Sequence, residues 1–158
     1  IISTIPPLDK SFNDVMELQD ILSYHFQRVN HQGKDAFEAF LRAELYLRQQ
    51  KISEAGEHLS YLLDTYPNVG LVPLVTLRLA LILLRLNQPE LALEMIPAME
   101  KTSLADKGII LSGQIYEQIY NDKRKALEYY LRIINEHPQS VFSEPIRYHI
   151  RQLKETES

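Results

Sequence analysis

Apolar residues recur at steps of three and four along most of this chain, and each run ends at a polar or proline-containing break. Phe12, Val15, Leu18, Leu22, Phe26 and Val29 form a first amphipathic stripe, with Ser11 and Asp14 as a capping box. That helix is expected to run to about Asn30 and stop at Gly33, after an extended lead-in containing Pro6-Pro7. Two further segments, Asp35 to Gln49 and Ser53 to Tyr66, flank a polar turn and close at Pro67-Asn68. A second pair covers Leu71 to Leu86 and Glu90 to Lys101, with Pro89 suited to a first helical turn and Pro97 placed to bend or shorten the helix. A third pair covers Leu104 to Ile119 and Lys123 to Glu136, and a last helix spans about Ser140 to Glu155. Nothing alternates with period two for long enough to be a strand, so the fold class is all-α.

The three pairs share a skeleton of small and large residues. The first reads Ala43, Tyr46, Ala55, Leu59, Pro67; the second Ala80, Leu83, Ala92, Ile96, with Leu104 where proline is expected; the third Gly113, Tyr116, Ala126, Tyr130, Pro138. The third has one extra residue in its turn, and about three extra residues are expected after the second. Small residues let two helices approach closely, and the large ones fill the space between successive pairs. Stacking is then obligatory, because one pair cannot bury its apolar face alone.

This pattern resembles the tetratricopeptide (TPR) repeat, although Ala39, Thr76 and Ile109 stand where that family often carries tryptophan. The resemblance implies a right-handed α-solenoid of three helix-turn-helix repeats. Its expected parts are an N-terminal segment and helix (1–34), repeats at 35–70, 71–105 and 106–139, and a capping helix at 140–158, with Arg147, Arg151 and Lys154 on the solvent side. An irregular helical bundle is the alternative.

In such a solenoid the first helix of each pair lines the concave side. The expected groove residues are Phe37, Phe40, Glu44, Leu47 and Arg48, then Leu74, Leu77, Leu81, Leu84 and Arg85. The corresponding third set, Lys107, Ile110, Gln114, Glu117 and Gln118, reads as polar and wet. Exposed leucines would each forgo roughly 1.5–3 kcal/mol of burial, so something is expected to cover them. The candidates are a partner peptide or helix, the chain's own Ile1–Leu8 segment or Phe12–Val29 helix, and a second copy of the chain. The family's grip on a chaperone carboxylate is disfavoured, because Phe40, Glu44 and Leu81 occupy positions where polar donors would be needed.

Composition narrows the function by exclusion. Seventeen basic against 21 acidic residues give a net charge of -4, with no basic surplus for nucleic acid and no polybasic patch for a membrane. Arg78 and Arg85 interrupt the Leu71–Leu86 run, leaving it far short of the roughly 20 apolar residues of a membrane span. The chain has no cysteine, hence no thiolate chemistry. His25, His31, His58, His137 and His149 make no zinc-binding pair, and Glu54 with His58 reads as a surface pair. No phosphate-cradling loop or nucleophile elbow occurs, and Tyr116, Tyr129 and Tyr130 read as packing residues.

The expectation is therefore a non-enzymatic scaffold, without cofactor or metal, that binds a protein or peptide in an apolar groove. The alternative is a structural spacer or homodimerisation module with the groove self-filled. The start at Ile1-Ile2-Ser3 reads as a piece of a longer protein. The closing run Val141 to Arg147 is similar to repeats of bacterial cell-envelope proteins, which leans the localisation towards the envelope or periplasm without choosing against the cytoplasm.

Overall fold

A computed structural model describes residues 31–155. The expected Ser11-capped helix and the Ile1–Leu8 segment lie outside the described residues. Among the described residues there are seven α-helices, one 3₁₀ turn and no strand. They are α1 (His31–Arg48), α2 (Ile52–Thr65), α3 (Val72–Arg85), α4 (Pro89–Met95) running into the 3₁₀ turn Ile96–Met99, α5 (Ala105–Gln118), α6 (Lys123–Glu136) and α7 (Ser143–Glu155). The chain folds by local pairing: each helix packs on its neighbour in sequence, and the 3₁₀ turn bridges α3 and α4 to α5.

Three helical hairpins, α1–α2, α3–α4 and α5–α6, turn in the same way. Gln50, Asn87 and Asn121 each adopt the left-handed conformation, with φ of 61°, 59° and 54°. The peptide N–H that follows reaches back to the preceding helix, from Lys51 to the Tyr46 carbonyl, Gln88 to Leu83 and Asp122 to Tyr116. The last reach is one residue longer, which locates the extra turn residue expected in the third pair. Beyond each turn, Ala55, Ala92 and Ala126 bond to the carbonyls of Lys51, Gln88 and Asp122, and all three alanines are fully buried. Only the third turn has a side-chain cap: Asp122 Oδ1 accepts from the Lys125 N–H at 3.0 Å.

The joints between hairpins also correspond. α2 and α6 end at Tyr66 and His137 with nearly equal backbone angles (φ -127°, ψ 55° and φ -129°, ψ 52°), outside the helical region that a following proline disfavours. Four residues past those prolines, Leu71 and Phe142 are buried and accept the first helical bonds of α3 and α7. Leu104 does the same for α5, accepting from Gly108. Leu104 is thus the counterpart of Leu71 and Phe142, not of the closing prolines, and the second hairpin is shortened rather than followed by extra residues. Pro97 is the physical reason, since it has no N–H to continue α4 and the chain tightens into the 3₁₀ turn.

A second difference lies at Gly33, which sits inside α1 and does not end a helix. The last helix begins at Ser143, three residues later than expected.

Burial explains why α3 is apolar nearly all round. Leu74, Val75, Thr76, Leu77, Leu79, Ala80 and Ile82 are all buried in α3, and in α5 Ala105 and every residue from Lys107 through Ile115 are buried. These are the central helices. One core cluster joins α1 to α4 with Leu111 and Ile115 of α5. A second joins Ile109 and Ile110 of α5 to Ala126, Tyr130 and Ile133 of α6 and to Ile146, Ile150 and Leu153 of α7.

Candidate protein-binding face

The expected groove residues divide into three levels of burial. Phe40 is fully buried, and Leu74 and Leu77 are each 7% exposed and belong to the first core cluster. Phe37, Leu47, Leu81 and Leu84 are half-buried and pack against that cluster. Arg48 and Arg85 are exposed at the ends of α1 and α3. None of the four leucines of α3 is fully exposed, because α3 packs against the helices on either side of it in sequence.

Glu44 has a role that spacing alone did not reveal. Its carboxylate accepts two hydrogen bonds from Arg78, Nε to Oε1 and Nη2 to Oε2, each at 2.7 Å. Parallel N–H donors on both carboxylate oxygens make a bidentate pair, stronger and more directional than a single contact. The pair is largely shielded, with side-chain exposures of 13% for Arg78 and 20% for Glu44. It joins α1 to α3 across 34 residues. The signal available in the sequence was Arg78 itself, a cation inside an apolar run that demands a partner.

The third set is buried rather than wet. Ile110 and Gln114 are fully buried and Lys107 is 7% exposed. Glu117 anchors a polar cluster at the junction of α5, α6 and α7. Its Oε2 accepts from the Tyr130 hydroxyl at 2.7 Å and lies 2.8 Å from His149 Nε2. Burial works to raise the Glu117 carboxyl, but hydrogen bonds from His149 and then Tyr130 outweigh it and hold it below the ordinary range. An ionised carboxylate only accepts, so His149 Nε2 carries the proton. Burial, followed by the bond to Glu117, pushes the Tyr130 hydroxyl far above its usual value. The rings of Tyr130 and His149 also meet edge to face, with centroids 5.3 Å apart.

Tyrosines and charges hold the third hairpin together and tie it to the second. Tyr116 stacks on Tyr129 with centroids 5.5 Å apart and planes 13° apart, and Lys125 Nζ lies 4.3 Å from the Tyr116 ring centre. The Tyr120 hydroxyl donates to Glu90 at 2.7 Å, and that bond, helped by burial, pushes Tyr120 up to about 12. Arg132 bonds both Glu136 of its own helix and Glu100 beyond the 3₁₀ turn. These contacts match the packing role expected for Tyr116, Tyr129 and Tyr130. His58 faces Tyr46 at 5.0 Å between ring centres, which departs from the expected surface pair with Glu54.

Among the described residues, no group of three or more histidine or acidic side chains could hold a metal ion, and no helix is long and apolar enough to cross a membrane.

A family model described as a tetratricopeptide repeat-like domain matches residues 12–155. No curated protein and no solved structure gives a match.

Proposed function

Because the chain belongs to the tetratricopeptide repeat-like domain family, whose domains generally mediate protein–protein interaction, we propose that it is a non-enzymatic scaffold gripping a peptide or helix along the first helices of successive hairpins. The three hairpins then correspond to repeats at 35–70, 71–105 and 106–139 of a right-handed α-solenoid, with α7 as the cap. Equivalent left-handed turns at Gln50, Asn87 and Asn121 support that division.

The observation that carries the binding face is the Glu44–Arg78 pair. It pins α1 to α3 and leaves Leu47, Leu81 and Leu84 half-buried beside exposed Arg48 and Arg85. Half-buried leucines still offer apolar surface to a ligand, whereas Phe40, Leu74 and Leu77 support the face from beneath.

The test is Leu81→Glu combined with Leu84→Glu. The double variant is expected to keep its helical circular dichroism and lose capture of the partner that the unaltered chain retains. Retained capture by the folded variant would remove this face from the reading. A variant that changes self-association instead would favour the spacer or homodimer role.

A further inference from the structure

A cleft of about 220 Å³ opens between α1 and α2, away from the leucines of α3. Asp35, Glu38, Ala39 and Arg42 line one wall, at the i, i+3, i+4 and i+7 spacing of a single helix face. His58 and Tyr61 of α2, with Tyr66 just past its end, line the other. We propose that this cleft is a second binding site, which takes one arginine or lysine side chain presented by a partner polypeptide. The inference rests on the protein-binding reading of the family but not on the α3 face.

Three features point to a cation. Two carboxylates enter the cleft, and neither Asp35 nor Glu38 forms an ion pair or side-chain hydrogen bond among the described residues, although Arg42 lines the same wall. Aromatic rings face them, and Tyr61 is 57% exposed, so its ring is open to a ligand. A ring face attracts a cation within about 6 Å, and a long aliphatic stem lies well over apolar walls such as Ala39. The groups also converge: the Tyr66 hydroxyl is raised by burial, then by the Asp35 carboxylate, then by Tyr61. Exposed Glu54, Glu57 and Asp64 add negative charge along α2.

Two further features point to a polypeptide. The volume suits a single side chain, being below the roughly 300–1,000 Å³ of whole-ligand pockets. Beside Glu38 and Arg42 on the same flank of α1, Leu41 and Leu45 are 48% and 55% exposed. They give the residues flanking the cation an apolar surface to rest on. A metal ion does not fit, since no set of three ligands forms among the described residues.

The probes are a short capped peptide with one central arginine between leucines, and the same peptide with neutral citrulline in its place. Both are titrated into the full chain by calorimetry. The arginine peptide is expected to bind at least about tenfold more tightly, the scale of one desolvated cation contact. Asp35→Asn with Glu38→Gln should erase the difference, and Arg42→Gln should widen it. Leu81→Glu with Leu84→Glu should leave it unchanged, so this site and the α3 face can fail independently. Equal binding of both peptides, no binding of either, or a preference that survives Asp35→Asn with Glu38→Gln overturns the proposal. So does a dimer, seen by sedimentation, that the same double substitution returns to monomer, because the occupant is then a second copy of the chain.

Discussion

The ring of Tyr130 on α6 fills the space that a side chain at Gly113 on α5 would need: a Cβ there would lie 2.5 Å from Cε1 and 2.8 Å from Cδ1. The ring is held at both ends. Its hydroxyl bonds Glu117 and it meets His149 edge to face, so withdrawing from Gly113 would disturb both contacts. The third hairpin and α7 therefore meet around one tyrosine.

Gly113→Ala should accordingly destabilise the domain. Alanine gains up to about 1 kcal/mol over glycine in a helix interior. Overpacking a filled core costs about 1–3 kcal/mol, and here the obstacle is a fixed ring rather than a flexible end. A net loss of about 1–2 kcal/mol is expected as a lower urea midpoint at unchanged slope. Tyr130→Leu in the same chain should soften the penalty, whereas Tyr130→Phe, which keeps the ring, should not.

Stability should fall in acid through Glu117. Its folded carboxyl titrates below its ordinary value of 4.5, so the ionised form is favoured by folding. The unfolded chain binds more protons in that window, and stability rises with pH there. The contribution is complete above the unfolded value and lost as pH falls through the folded one. Glu136, held low chiefly by Arg132, acts in the same direction. Melting temperatures followed by circular dichroism from about pH 3 to 7 should show this slope, and Glu117→Gln should flatten it without abolishing it. A slope untouched by Glu117→Gln would assign the acid sensitivity elsewhere.

Removing one member of the Glu44–Arg78 pair should cost more than removing both. Glu44→Ala leaves a guanidinium that is only 13% exposed without its bidentate acceptor. Losing one partner of a fully buried pair costs about 3–5 kcal/mol, and the residual exposure of this one brings the expectation to about 1–3 kcal/mol. Glu44→Met with Arg78→Met should recover much of the loss, because neither desolvated charge remains. A double variant as unstable as the single one would show that Arg78 matters through its packing on α3 instead.

How much of this was legible in the sequence depended on range. The α6 boundaries, Lys123 to Glu136, are legible in the sequence because a cap, a regular stripe and a proline all act locally. Leu104 sits at the spacing from Ala92 that closes a full second helix, which Pro97 does not allow, so spacing alone misplaces it. The spacing of the α3 leucines implies exposure because a stripe gives direction but not depth. Depth is set by neighbours far away in sequence, as is the Glu44–Arg78 pair, whose partners are 34 residues apart. The cleft at Asp35 and Tyr61 is not legible in the sequence for the same reason, since its walls come from two helices and no spacing within either one announces it.

The equivalent turns offer a gain rather than a loss. Gln50, Asn87 and Asn121 all have left-handed backbones, which glycine adopts freely and asparagine tolerates better than most residues. Gln50 has no such tolerance, and at φ 61° it bears the local strain of the first turn. Gln50→Gly relieves that strain, offset in part by the greater freedom of glycine in the unfolded chain. The expected net is a stabilisation of about 0.5–1 kcal/mol, a rise of about 1–4 °C in a domain of this size. Asn87→Gly should gain less, because asparagine already fits, and Gln50→Val should lose stability, because a β-branched side chain resists a positive φ. The order Gln50→Gly, Asn87→Gly, unaltered chain, Gln50→Val in melting temperature is the result expected if the three turns do the same work. A first turn indifferent to glycine would mean that its geometry is imposed by the packing of α1 on α2 and not by its own backbone.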